Sequence, residues 1–397
     1  MSARGSAPTA GQGGGEPHPE QAAPGEGGIP LRVSTLELFF DLVFVFTITQ
    51  LTSLLTDDMT IAAAGRVLLI FGLLWWMYGG YAWLTNARTP SRTPERLLLL
   101  LGMAGFLIIG LSIPQAFGRA GTHGRDGVAL GLGYLVVVGV HSALYLRVNR
   151  NIWRILPFNL SSAALVIIAG VIPAPAAYAL WGTALAIQVL GPVFVRLGGR
   201  FDIQPAHFAE RHGALMIVAF GESVADVGIG TRGQPVTIEL ALSAALGLAL
   251  TAALWWVFFG TSDDERADAA MMAADPALRP RLALGAYFYA FIPMLLGVVA
   301  TAAALKSAIG HPGASLPAGY ALALAGGVAL FMAGDVMFLR VLRIGATRLR
   351  AGAAVLAIAA WPAAVATSAA AGIVLLTAVV TAALAAEGRT ARDTVGS

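Results

Sequence analysis

The chain has 397 residues, 57% hydrophobic and 12% charged, with a formal net charge of +3 and no cysteine. A charged fraction about half that of a soluble domain, with a mean hydropathy of +0.75, excludes an ordinary soluble enzyme and implies a polytopic membrane protein. The missing cysteines exclude disulfides, thiolate nucleophiles and cysteine metal sites, and so small a net charge speaks against a nucleic-acid partner.

Residues 1–30 form a Gly/Pro/Ala/Glu-rich tail with almost no apolar side chains, expected to be disordered. The tail lacks the apolar centre of a signal peptide, so the first helix is expected to serve as its own insertion signal. Polar and Pro/Gly-rich breaks then divide the chain into twelve apolar segments. They lie near 35–55, 61–85, 95–117, 127–148, 152–172, 176–196, 207–229, 236–260, 280–306, 317–342, 349–367 and 370–386. The last two share a run with Trp361-Pro362 as its one evident breaker. As a single helix, 349–386 would reach about 57 Å, far beyond the bilayer core, so two spans with a tight turn are expected. A short polar tail, 388–397, follows.

Of the 25 basic residues, 24 are arginine, and Lys306 is the exception. Twelve spans place 20 of them on the side of both termini and five on the other, so both termini are expected to be cytoplasmic. The halves 31–200 and 201–387 also resemble one another. Leu-Arg-Val-x-Arg closes a span at Arg147/Arg150 and again at Arg340/Arg343, Trp75-Trp76 matches Trp255-Trp256, and Arg96 matches Arg281. The expected fold is therefore all-α, two parallel six-helix repeats related by an axis along the membrane normal.

The repeat sets the first helix against the seventh. Ser34-Thr35-Leu36-Glu37 reads as a capping box, and the Glu37 carboxylate also suits a helix N-terminus. Asp41 lies one turn deeper on the same face, and Gln50 lies far inside the apolar run. Asp41 is expected to face protein, either paired with an arginine from a neighbouring cytoplasmic loop or lining a path. In the seventh helix, His207, Glu210, Arg211 and His212 crowd the entrance as an expected ion-pair network, without the spacing of a zinc motif. Glu222 sits about 12 residues in, roughly 18 Å deep, beside Ser223, with Asp226 at i+4. These groups form either a cation or proton site or a hydrogen-bonded cluster that fastens helices. His141 and Asp335 occupy nearly matching positions in spans four and ten, with the same two readings.

No phosphate-binding loop, His-Glu-x-x-His or Gly-x-Ser-x-Gly motif occurs, so neither ATP-driven transport nor ordinary hydrolase chemistry has support. No catalytic residue, cofactor or metal is expected. "LELFFDLVFVFTITQLT" and "HFAERHGALMIVAFGESVADVG" resemble the two signatures of the bacterial low temperature requirement protein A family, a likeness extending over about residues 30–390. The resemblance implies a multi-pass inner-membrane protein and marks Glu37, Phe40, Asp41 and Gln50, then Glu210, Arg211, Gly221, Glu222 and Ser223. Asp226 departs from it, since a small or apolar residue is usual there. The family name reflects cold growth rather than a chemistry. The run around Asp41 is also similar to the Phe-Ser-Asp helix of a potassium-channel family. Phe40 replaces the serine and the second half has no Phe-x-Asp, so no potassium pore is carried over. The leading expectation is a secondary transporter or channel for a small solute, proton or monovalent cation, with Glu222 as the binding carboxylate. The alternatives are a structural, stress-adaptation membrane protein and an intramembrane enzyme acting on lipid. Expected partners are membrane lipids and a second copy in a homodimer.

Overall fold

A computed structural model describes residues 33–395 except 89, 117–124, 149–151, 174, 196–202, 232–234 and 346, with backbone alone at 125–126, 192–195 and 391–395. The tail 1–30 and several residues in the charge count (Arg4, Arg32, Arg119, Arg150, Arg196, Arg200 and Arg232) lie outside the described residues. The rest is helical, with no strand among the described residues. Eleven helical stretches there are long and apolar enough to cross a membrane, and Ala176–Gly191 is a shorter apolar one.

The first half contains α1 (Thr35–Asp57), α2 (Ile61–Ala87), α3 (Thr93–Ser112), α4 (Arg125–Tyr145), α5 (Ile152–Ala169) and α6 (Ala176–Val195). The second contains α7 (Pro205–Gly230), α8 (Ile238–Phe259), α9 (Asp263–Ala273), α10 (Arg279–Ala283), α11 (Phe291–Ile309), α12 (Ala318–Leu342), α13 (Thr347–Ala359), α14 (Trp361–Ala366) and α15 (Ala369–Val395). Local chemistry starts them. Ser34 and Glu37 close the capping box of α1, and Thr60 and Thr237 accept the N–H of Ala63 and Leu240 at the starts of α2 and α8. Pro205 opens α7, where its missing N–H costs nothing.

Two features differ from the sequence reading. The polar segment after α8 is not a loop: α9 forms there, with Asp263, Asp264 and Glu265 in its first turn against the positive end of the helix dipole. A π-helical turn, Leu284–Tyr289, joins α10 to α11. The break in 349–386 falls at Thr367-Ser368, where the two spans expected at 349–367 and 370–386 meet. The polar C-terminal segment begins inside α15, which stays helical to Val395.

In the first half α1 packs on α2 and α3, α3 on α4, α4 on α5, α5 on α6, and α6 returns to α2. In the second half α7 packs on α8 and α11, α11 on α12, α12 on α13, α13 on α15, and α15 returns to α8. The halves meet where α1 packs against α7 and α11. The two Trp-Trp pairs differ in surroundings. Trp75 lies in mid-helix, not near the end of its span, because α2 continues to Ala87. It is buried, and its indole N–H donates to the Phe288 carbonyl at the π turn (3.1 Å). Trp255 and Trp256 are exposed.

Glycines allow close helix crossings. A Cβ on Gly297 of α11 would stand 2.6 Å from the Gly327 carbonyl oxygen of α12, whereas one on Gly352 would meet nothing within 4 Å. Small residues are how membrane helices approach closely. Gly297→Val should therefore lower the melting temperature in detergent, by the equivalent of about 1–3 kcal/mol or more. Gly352→Ala should leave it unchanged or slightly raised.

Candidate functional site

Two polar layers lie on the α1–α7–α11 interface. The first joins the starts of α1 and α7 to the end of α2. Arg211, fully buried, pairs with Asp41 (Nη2–Oδ1 3.1 Å) and Glu37 (Nη1–Oε1 3.4 Å). Nη1 also donates to Thr85 Oγ1, and the guanidinium lies over the rings of Phe40 and Tyr78 at 5.6 and 5.4 Å. Tyr78 donates its hydroxyl to Asp41 Oδ1 (3.0 Å). Asp41 Oδ2 is buried with no hydrogen-bond partner.

Glu37 has two jobs. Its Oε2 accepts from the Ser34 N–H (2.9 Å) and hydroxyl (2.7 Å), as the capping box requires, while Oε1 lies 3.2 Å from His207 Nε2. The His207 tautomer follows from its other neighbour. Asn86 exchanges hydrogen bonds with the Gln204 backbone, accepting through Oδ1 (3.0 Å) and donating through Nδ2 (2.9 Å). The same Nδ2 is 3.2 Å from His207 Nδ1, which must then accept, leaving the ring proton on Nε2 to face Glu37. The predicted network at the mouth of the seventh helix thus exists, but His207 and Arg211 carry it from inside the bundle. Asp41 meets Arg211 from within α7 and not a loop arginine. Glu210 is exposed and accepts from the Val33 N–H (3.2 Å), and His212 turns to the Phe208 carbonyl (2.8 Å) and the Tyr287 ring.

The second layer joins the far ends of α1, α7 and α11. Asp226, fully buried, stands 3.6 Å from Lys306 Nζ, which donates to Ser53 Oγ (3.2 Å). Neither Asp226 oxygen has a hydrogen-bond partner. Glu222, on the same face one turn earlier, is only half-buried. Buried Ser223 satisfies its hydroxyl on the Ala219 carbonyl of its own helix (3.3 Å). Gln50 is half-buried and belongs to neither layer. Between the layers the interface is packed with Phe44, Ile48, Leu51, Leu215, Met216 and Ala219. Asp41 and Ser53 are 12 residues apart on α1, so the layers are separated by about 18 Å.

Asp335 belongs to a different cluster, built on fully buried Arg350 of α13. Arg350 pairs with Asp335 of α12 (2.8 Å), Asp263 of α9 (2.6 Å) and Glu387 of α15 (3.0 Å). It also donates to the Val257 carbonyl (3.2 Å) and Thr261 Oγ1 (3.1 Å). His141 meets no carboxylate. It lies between Tyr81 and Tyr145, ring centroids 5.4 Å from each, with both ring nitrogens unpartnered. Among the described residues no three His, Cys, Asp or Glu side chains gather as a metal site. Sequence reasoning passed over Tyr78, Thr85, Asn86, Lys306 and Arg350, since a lone polar residue in an apolar helix does not name its partner. Lys306 did carry a signal, as the single lysine at the end of an apolar run.

Removing one partner of a buried ion pair costs about 3–5 kcal/mol, because the other charge stays unpaired. Arg211→Met should destabilise by that order in a thermal melt, and adding Glu37→Gln and Asp41→Asn should recover part of the loss. A triple variant no more stable than Arg211→Met would contradict the pairing.

Comparison with known proteins agrees with this picture of a helical membrane protein. The chain is 27% identical over 335 residues to the uncharacterized protein RA0937 of Rhizobium meliloti (strain 1021), covering 78% of this chain and 78% of that one. The model of the bacterial low temperature requirement A protein (LtrA) matches residues 32–386, nearly the whole described molecule. The chain belongs to the bacterial low temperature requirement A family.

Proposed function

We propose that this protein is a secondary transporter or channel of the bacterial inner membrane, moving a proton or small cation along the α1–α7–α11 interface. The observation that carries the reading is Asp226. Charged side chains within membrane spans are costly and tend to mark ion or proton pathways. Asp226 caps no helix, is fully buried near the far end of α7, and holds only a loose ion pair to Lys306. Asp226 therefore takes the binding role in preference to half-buried Glu222, which supplies a second carboxylate on the way in. At the other end, two carboxylates face one guanidinium, leaving room for one exchangeable proton in the Arg211 layer.

We also propose that the halves are a parallel duplication with both termini on the arginine-rich, cytoplasmic side. The recurring order of helix contacts supports it, as does the meeting of the starts of α1 and α7 at Arg211 and of their far ends at Lys306. A two-half arrangement with a site between the halves suits alternating access.

A second reading, that the clusters only lock helices together, is favoured by the complete set of partners around Arg350. Flux through purified protein in liposomes, scanned over protons, potassium and sodium, separates the two. The transport reading expects flux in wild type that falls at least tenfold in Asp226→Asn, while the variant melts close to wild type because Lys306, unlike Arg211, is partly exposed and keeps Ser53. Undiminished flux in Asp226→Asn would remove Asp226 from the path. Absence of flux for every ion in wild type would leave the locking role.

A further inference from the structure

The flank of the second half holds a groove of about 750 Å³ between α8 and α15, within the range of ligand pockets. Ala249, Ala252 and Trp256 form one wall, and Thr377, Ala385 and Arg389 belong to the other. The groove is less polar than its residue types suggest. Thr377 donates its hydroxyl to the Ile373 carbonyl (2.8 Å) and Thr381 to the Thr377 carbonyl (2.8 Å), so neither offers a spare donor. Its length is that of one leaflet: Thr377 and Arg389 are 12 residues apart, about 18 Å, against about 15 Å for half the hydrocarbon core. It ends at the arginine-rich boundary with Trp256 on one wall, an indole at the depth where membrane proteins favour it, and exposed Arg389 on the other.

We propose that this groove is a binding site for one anionic phospholipid of the arginine-rich leaflet, with an acyl chain along the alanine wall and the headgroup phosphate on Arg389. The charge at the mouth selects the occupant. A second copy docked by the same face, about an axis along the membrane normal, would bring Arg389 against its own counterpart at equal depth, a like-charge contact. A phosphate there meets a cation instead. The site also touches the structural centre of this half. Trp256 precedes Val257, whose carbonyl accepts from Arg350, and Arg389 follows Glu387, which pairs with Arg350. Both walls of the groove are therefore held by the same guanidinium, and a bound lipid packs against a clamp joining α8, α9, α12, α13 and α15. The inference rests on the membrane setting and not on transport.

Native mass spectrometry of the purified protein, titrated with phosphatidylglycerol and with phosphatidylcholine of the same chains, tests it. Wild type should retain one phosphatidylglycerol about fivefold in preference to phosphatidylcholine, the factor given by one basic residue at a membrane surface. Arg389→Gln, a surface change that leaves the fold intact, should retain both lipids equally. Ala252→Trp, which fills the groove, should lose the adduct while phosphatidylglycerol binding elsewhere on the surface stays unsaturable and weak. Equal retention of the two lipids by wild type, or an adduct unchanged in Ala252→Trp, would overturn the proposal. So would displacement of the lipid by inorganic phosphate alone, or a wild-type dimer mass that Ala252→Trp abolishes.

Discussion

A guanidinium withdrawn from water must be met by opposite charge and by acceptors for its five N–H groups, and the structure depends on meeting that demand at Arg211. The residue is nearly inaccessible, and its partners come from two other helices: Glu37 and Asp41 from α1, Thr85 from α2. The contact fixes the rotation of α1 and α7 about their axes, because either helix turned by one residue would leave a carboxylate or the guanidinium facing hydrocarbon. It fixes their direction too, since only helices starting on the same side can bring Glu37 and Arg211 together. The aromatic layer around it, Phe40, Phe44, Tyr78, Tyr81 and Phe106 in mutual ring contact, excludes water and so strengthens the electrostatic attraction.

The second half solves the same problem with more acid. Arg350 faces three carboxylates, and Arg266 adds a second cation to Asp263. The cluster ties α9 and the polar end of α15 to α12 and α13, alongside the apolar anchors Ala267 and Met271 of α9. A buried pair is weak evidence of net stability, since desolvation offsets most of the attraction. What such clusters supply is specificity: an alternative packing would leave a charge in hydrocarbon.

Between these clamps the α1–α7–α11 interface is mostly apolar and tightly packed. Its polar side chains bond their own backbones, as Thr47, Thr52 and Ser223 do. Asp226 and Lys306 are the exception. Their 3.6 Å separation, with the ammonium turned to Ser53, is looser than anything around Arg211 or Arg350.

The sequence by itself determined most of the apolar helices. A run of about 20 apolar residues in a chain of this composition has few alternatives, because backbone groups in hydrocarbon must be satisfied within the segment. Ser34 and Glu37 announced the start of α1, and the signatures around Asp41 and Glu222 placed the chain in its family. The α9 helix was missed because a polar helix carries no hydropathy signal, and the π turn because it interrupts no apolar run. Only the tertiary structure decided the site. Within two turns of α7, it buried Asp226 and left Glu222 half in the open, set Lys306 beside Asp226, and sent Asp335 to Arg350. Periodicity tells which residues share a face of one helix, but which face meets which is settled by the sum of contacts across the bundle, and a lone charge in the sequence does not say where its partner will be.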